Sequence, residues 1–292
     1  MSALPAYVVV TPARNEVRFI EQTLLSMIGQ RVRPLKWVIV SDGSTDGTDE
    51  LVERYHAQHP WIELLRMPER RERHFAGKAY AVRAGVEAMA DLPFAALACL
   101  DADITFAPDY FEILLTRLAG EASLGLIGTP FVETTQEVYD YRYVNIEHVD
   151  GACQLFRRAC WEEIGGYFAV KGGAIDTIAC IHARMKGWKT RCYTEQHCFH
   201  HRAMGTAEQN PLRARYVIGC RDYMMGNLPL WEFARVLYQM TKKPYLLRGA
   251  ALAWGYLHSW GMRSDRPVSA EFVQFVRAEQ WGRLKRALRV TR

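Results

Sequence analysis

Residues 36–48, KWVIVSDGSTDGT, decide how this chain is built. KWVIVS, Lys36 to Ser41, is β-branched and aromatic and reads as a buried strand. Asp42 to Thr48 contains only Asp, Gly, Ser and Thr, the composition of a turn. From Asp49 to His56 the residues Leu51, Val52 and Tyr55 fall at helical spacing, so the strand hands over to a helix.

The same unit recurs on either side. Upstream, Ala6 to Thr11 is a strand ending at Pro12, and Asn15 is placed to cap a helix whose Ile20, Leu24 and Ile28 share one face before Gly29. Downstream, the strand Ile62 to Arg66 leads through a charged loop, Pro68 to His74, into a helix from about Gly77 to Met89. A fourth strand, Ala95 to Leu100, runs into Asp101. Strands alternating with helices predict an α/β fold: a mostly parallel central sheet, helices on both faces, and a ligand crevice at the carboxyl ends of the strands. Chemistry is therefore expected in the loops holding Thr11 to Asn15, Asp42 to Thr48 and Asp101 to Asp103. Past Gly128 the pattern is irregular, and from about Leu230 it is helical, aromatic and basic. A catalytic domain over 1–228 and a helical extension over 229–292 follow from that change.

With 292 residues, 49% of them apolar, the chain can bury one large core, or one core and a smaller unit, and disorder is not expected. Its net charge of +5 is segregated: twelve Lys/Arg oppose three acids from Arg235 to Arg292, whereas the first 234 residues carry 25 bases and 29 acids. Seven cysteines, an odd number with no C-x-x-C pair, fit a reducing compartment. Met1 to Pro5 has no basic leader, and Tyr7 to Val10 is too short for a signal core. The longest uncharged stretch, Gly249 to Met262, falls below the roughly 18 apolar residues of a membrane span. A cytoplasmic protein is expected, with peripheral attachment to the cytoplasmic membrane face left open.

Asp101-Ala-Asp103 places two carboxylates at the crevice, which suits Mn²⁺ or Mg²⁺ held jointly with diphosphate oxygens. A D-x-D alone is equally a cap or a loop. Asp42, Ser44, Asp46, Gly47 and Glu53 also match positions one, three, five, six and twelve of a calcium-binding EF-hand loop. Such a loop follows a helix and has an apolar eighth residue; here it follows a strand and the eighth is Asp49, which counts against calcium. Lys78 opens a helix where its ammonium can face a phosphate, or is merely solvated. Asp176, beyond Gly165-Gly166-Tyr167 and Gly172-Gly173, begins a helix through Met185 as a general base or as its N-cap. His197, His200 and His201 near Cys192 and Cys198 match no zinc spacing, and one imidazole completing the carboxylate metal site is the more economical reading.

Taken in order, TPARNE (11–16), SDGSTDGT (41–48), GKAYAVRAG (77–85), LDAD (100–103) and RRACWEEIGGY (157–167) resemble the family 2 glycosyltransferases of the GT-A fold, a Rossmann-like nucleotide-diphospho-sugar transferase architecture. The resemblance covers roughly residues 6–205. It implies an inverting, metal-dependent enzyme that moves a sugar from a nucleoside diphosphate sugar, UDP being the commonest base, to an acceptor hydroxyl. Pro12, Ala13 and Glu16 would border the nucleotide, Asp42 would meet the base or ribose, Lys78 would sit near the donor, Asp101 would line the nucleotide-sugar site, and Asp103 would bind the metal with His200 or His201. Asp176 matches the Asp of the family's Glu-Asp pair, the catalytic base. Two positions depart: the Glu of that pair is Ile175, and the usual double Asp before Gly43 is Ser41-Asp42. Ile175 leaves room for a catalytically impaired nucleotide-sugar-binding protein of the same fold. No Q-x-x-R-W motif follows the histidines, so single addition is expected over polymer synthesis.

Trp254, Tyr256 and Trp260, flanked by Lys242, Lys243, Arg248, Arg263 and Arg266, suit a helix on an anionic membrane surface, and equally a cover over the catalytic domain or a dimer seam. On the membrane reading the acceptor is a lipid-linked saccharide of exopolysaccharide or envelope glycan synthesis. No nucleic-acid-binding motif accompanies the basic residues, and no nucleic acid partner is expected.

Overall fold

A computed structural model gives the architecture and describes residues 4–68, 76–133, 146–170, 172–202 and 210–290, with side chains to 286. Most of the charged stretch read as a loop before Gly77 lies outside these residues. Two compact units emerge, 1–203 and 204–292.

The first unit opens with β1 (Tyr7–Ala13), α1 (Ile20–Ile28), β2 (Lys36–Ser41), α2 (Thr48–Gln58), β3 (Ile62–Arg66), α3 (Ala76–Glu87) and β4 (Ala96–Leu100). It continues with β5 (Ile104–Thr105), α4 (Tyr110–Gly120), β6 (Leu124–Gly128), β7 (Phe131–Glu133), β8 (Cys153–Arg157), α5 (Arg158–Ile164), α6 (Ile175–Met185), β9 (Lys189–Cys192) and β10 (Cys198–His200). The main sheet has the order β3-β2-β1-β4-β8-β6-β9. Only β8 runs against the rest. Alternate residues feed two cores: Tyr7, Val9, Trp37 and Ile39 pack under α1, α2 and α4, and Val8, Val10, Val38 and Val40 under α3, α5 and α6. Burial on both faces is why these strands are continuous apolar runs. Helix α3 lies flush on the sheet, since a Cβ on Gly85 would come within 2.7 Å of Val10 and 2.9 Å of Val40.

Two local expectations are corrected. The first strand does not stop at Pro12 but continues to Ala13, with Pro12 opposite Val40. Ala13 O accepts from Asp42 N at 2.9 Å, so Ala13 turns its backbone groups toward β2 and Pro12 turns its own the other way. On that side pairing with β4 has already ended at Val10, and the missing proline N–H costs nothing. Asn15 does not cap α1, which begins five residues later. It adopts a left-handed φ of 59° and its Oδ1 accepts from Thr45 N at 2.8 Å, tying the loop after β1 to the loop after β2.

The second unit holds α7 (Pro211–Met224), α8 (Pro229–Met240), α9 (Leu247–Gly261) and α10 (Ala270–Val290). It starts earlier than the boundary read at 228, because α7 is packed directly onto α9: a Cβ on Gly219 would meet Leu252 O at 2.1 Å, and one on Gly255 would meet Tyr216 O at 2.0 Å. A buried polar knot sits between its helices. Arg235 pairs with Asp222 and Glu232, Asn227 Nδ2 donates to Asp222 at 3.1 Å, and Gln280 Nε2 donates to Asn227 Oδ1 at 2.7 Å. Among the described residues no helix is long and apolar enough to cross a membrane.

Candidate active site

The carboxyl ends of β1 and β2 are held together by their loops. Glu16 N donates to Thr48 Oγ1 at 2.8 Å and Val17 N to Asp46 Oδ2 at 3.1 Å. Burial pushes the Asp46 carboxyl up, but bonds from the Thr48 hydroxyl and from backbone amides outweigh it and hold the group below the usual range. Asp46 is thus committed to loop structure, Glu53 bonds Arg66 and Asp42 faces Arg14 at 3.7 Å. Those engagements remove the calcium-loop alternative, and among the described residues no three His, Cys, Asp or Glu form a metal cluster. Asp42 and Ala13 are buried, Pro12 half-buried. Beside Asp42 a cavity of about 180 Å³ opens between the ends of β2 and β3, lined by Ser41, Gly43, Ser44, Thr45, Asp49, Arg66 and Met67.

At the end of β4, Asp101 and Asp103 point to different partners. Lys78 Nζ lies 2.5 Å from Asp101 Oδ1 and donates to Gly151 O at 3.0 Å. Burial depresses the Lys78 ammonium, yet the charges of Asp101 and Asp176 more than reverse this and keep it protonated. Gly151 also abuts Asp176, since a Cβ there would stand 3.2 Å from Asp176 Cβ. Asp101, Lys78, Gly151 and Asp176 therefore form one cluster. Asp176 lies in the first turn of α6 and does not cap it; the cap position is Ala174, in a left-handed conformation with φ 63°. Ile175, where the family has Glu, is buried in the core beneath α6.

Asp103 faces the small second sheet, ordered β5-β10-β7. In it His200 is opposite Ile104 on one side and Glu133 on the other. His200 Nε2 lies 3.4 Å from Asp103 Oδ1, and its Nδ1 lies 3.5 Å from Glu133 Oε1. His201, one residue on, points to the other face by strand alternation, and its Nε2 is 2.9 Å from Thr105 Oγ1. Of the two imidazoles, only that of His200 is brought to the Asp103 carboxylate; His201 meets Asp103 through its backbone, N donating to Asp103 O at 3.0 Å. Arg202 completes the group, with Nε 3.3 Å from Asp103 Oδ2 and a second contact to Glu16. Burial pushes the Asp103 carboxyl up, but His200, Arg202 and Lys78 hold it below its usual range, so it is a carboxylate.

This donor set fits a divalent cation. Nδ1 of His200 is buried with no hydrogen-bond partner of good geometry, beside the Glu133 carboxylate. Burial pushes the His200 imidazole down, but Asp103, Asp101 and Glu133 outweigh it and draw the ring toward its protonated form between two carboxylates. A cation displacing the Nε2 proton would find Nδ1 backed by Glu133, the arrangement that outer carboxylates give to metal-binding histidines. Asp103 and His200 supply two ligands, leaving the other positions to water and diphosphate oxygens, and an imidazole favours Mn²⁺ over Mg²⁺.

Sequence reading missed Glu133, Gly151 and Arg202. Arg202 was visible as a cation next to the histidines; Glu133 carries no signal until β7 pairs with β10.

The chain is 29% identical over 136 residues to 4,4'-diaponeurosporenoate glycosyltransferase of Staphylococcus aureus (strain USA300), covering 46% of this chain and 34% of that protein. It thus spans about a third of the length of the curated relatives it matches. Solved structures share the fold, among them two glycosyltransferase complexes. Mannosyltransferase PcManGT from Pyrobaculum calidifontis, in complex with GDP-Man and Mn²⁺, is 19% identical with a TM-score of 0.65 over 90% of this chain and 89% of that one. S. aureus TarS 1–349, in complex with UDP-GlcNAc, is 13% identical with a TM-score of 0.57 over 94% and 82%. Residues 8–188 match the sequence profile described as glycosyl transferase family 2, well over half the chain, and the protein belongs to that family.

Proposed function

We propose that the protein is an inverting glycosyltransferase that moves a sugar from a nucleoside diphosphate sugar to an acceptor hydroxyl. The observation that carries this is the gathering of Asp103 with His200, and of Asp101 and Lys78 with Asp176, at the carboxyl edge of one sheet. The nucleoside lies along Pro12, Ala13, Glu16 and Asp42, with the cavity between β2 and β3 beside it for the base. Asp101, neutralised by Lys78, lines the donor without repelling its diphosphate. Asp103 and His200 would hold Mn²⁺ or Mg²⁺, which would supply Lewis-acid stabilisation of the leaving diphosphate.

Asp176 accepts the proton of the acceptor hydroxyl as its oxygen bonds to the anomeric carbon, and the bond from that carbon to the diphosphate oxygen breaks with its electrons leaving on the nucleoside diphosphate. One displacement inverts the anomeric centre. Lys78, its ammonium held protonated by the charges of Asp101 and Asp176, stands beside the acceptor site as a fixed cation. The acceptor is a lipid-linked saccharide, met at the cytoplasmic membrane face through the C-terminal unit; seven free thiols support a reducing compartment.

A thermal-shift screen of UDP, GDP and dTDP and their sugars, with and without Mn²⁺, finds the donor, because stabilisation grows with ligand concentration over Kd. Metal-dependent stabilisation by one base, followed by sugar release or transfer that Asp176→Asn abolishes, is expected. Stabilisation without turnover would identify an impaired binding protein, and no stabilisation by any nucleotide would overturn the proposal.

A further inference from the structure

The described residues include eighteen large apolar side chains exposed to solvent, and eleven of them fall between Leu230 and Met262. All eleven belong to α8, α9 or the segments that flank α9 in the second unit. On α8, Leu230, Phe233 and Leu237 recur at helical spacing on one face. The turn that follows is exposed at every position from Thr241 to Leu247, and Tyr245, Leu246 and Leu247 stand 60%, 66% and 56% open. On α9, Trp254, Leu257 and Trp260 are exposed as well. Tyr256, which the sequence placed with these aromatics, faces inward and donates to Asn227 O at 2.8 Å.

Inside the hairpin α8 buries Glu232 and Val236, and α9 buries Leu252 and Tyr256 beside small residues. The buried side of α9 carries Gly249, Gly255 and Ser259, and a Cβ on Gly249 would meet Val236 O of α8 at 2.6 Å. Close backbone approach at these glycines, with most of the large apolar residues of the hairpin turned outward, departs from a water-facing bundle and fits helices that meet lipid. Cations frame the apolar turn: Lys242 and Lys243 precede it and Arg248 ends it, with Arg263 just past α9. A second copy of the chain would bring those same cations against one another, whereas anionic headgroups complement them. At 12 and 15 residues, α8 and α9 reach about 18 and 22 Å, short of a hydrocarbon core of about 30 Å.

We infer that the α8–α9 hairpin is a monotopic docking element that lies in the headgroup region of an anionic bilayer and inserts its Tyr245-Leu246-Leu247 turn between the lipids. The inference deepens, and rests on, the membrane contact proposed above, and it adds the surface and the leading residues.

The test is flotation of the full chain with vesicles of phosphatidylcholine alone and with one-third phosphatidylserine. The wild-type chain floats with the anionic vesicles and far less with the neutral ones. Tyr245→Ser/Leu246→Ser/Leu247→Ser lowers partitioning about a hundredfold, from the apolar area withdrawn. Lys242→Gln/Lys243→Gln lowers it about thirtyfold and removes most of its salt dependence. Both variants keep the wild-type melting temperature and nucleotide stabilisation, which separates lost docking from lost folding. Wild type that stays unbound by anionic vesicles, a turn variant that floats unchanged, or a dimer that the turn variant dissociates would each overturn the inference. Nucleotide binding is read separately, so a membrane failure with intact nucleotide stabilisation leaves the glycosyl-transfer proposal standing.

Discussion

Each unit buries a cluster of charges, and the two clusters are resolved differently. In the second unit Asp222 and Glu232 share Arg235, Asn227 and Gln280 extend the network, and Glu232 Oε1 stays buried without a hydrogen-bond partner. Burial, with the Asp222 charge added, pushes the Glu232 carboxyl up to about 7 against the pull of Arg235, so the surplus charge is relieved by taking a proton. At the tips of the sheet Asp103 is instead held ionised, although Asp101, Asp176, Glu16 and Glu133 lie around the same group of cations. A cluster that takes up a proton to neutralise itself is structural; one that keeps a carboxylate, Asp103, charged at a strand edge has an appetite for a cation. Burial of charge alone does not separate the two cases.

The comparison breaks first at Asp176. Asp176→Asn should lower transfer about 10³-fold while leaving Mn²⁺-dependent nucleotide binding within a factor of about 2, because only proton acceptance is removed. Single-turnover transfer read beside nucleotide titration checks this, and equal losses in both would make Asp176 a binding residue. Arg202→Met sharpens the contrast, since Arg202 sits against Asp103 where a cation would reside. Mn²⁺ alone, followed by its paramagnetic resonance signal, should bind about 10-fold tighter once that competing charge is gone. The nucleoside diphosphate with Mn²⁺ should bind about 10-fold more weakly, having lost a guanidinium near its phosphates. Effects of the same sign on both ligands would reduce Arg202 to a structural strut. Gly151→Ala is subtler: the added methyl presses on Asp176 at 3.2 Å, and kcat should fall about 10-fold with donor KM and melting temperature nearly unchanged.

The two halves of the first unit differ in how far their sequence speaks. β1, β2 and β4 are parallel and buried on both faces, so each has an apolar run at its centre, while β3 at the sheet edge is IELLR and only half-buried; β2 and β3 have the bounds their residues predict. The loops after them, with Asp42, Asp101 and Asp103, follow from that order. Later the signal fails for physical reasons. β8 is CQLFR, with a buried Gln154 whose amide is satisfied by Tyr167 and Val149, contacts that no local pattern announces. β7 and β10 have three residues each, too few to show a period, so the carboxylate behind His200 is found only through pairing. Asn15 was misread because a side chain that caps helices also bonds neighbouring loops, and only the position of the loop after β2 decides between them. The second unit was legible as helical and basic, but its inward glycines and outward tryptophans required the packing.

The smallest effect tests the cluster of the second unit. Glu232 titrates near 7 in the folded protein against an ordinary value of 4.5, so between those values the folded state holds a proton that the unfolded chain has released. Stability then falls as pH rises through this window, the opposite of what a salt-bridged carboxylate gives. Glu232→Gln cannot titrate, and its amide replaces the protonated acid, so the melting profile of the second unit should flatten between pH 5 and pH 8. The variant should match wild type at the acid end and exceed it by a few degrees at the alkaline end. Hydrogen exchange on α8, where Glu232 and Arg235 reside, localises the change to that unit. Nucleotide stabilisation of the first unit should be indifferent to the substitution. A wild-type profile that rises over the same window would mean that Arg235 holds both carboxylates ionised, and the two charge clusters would then be alike in kind.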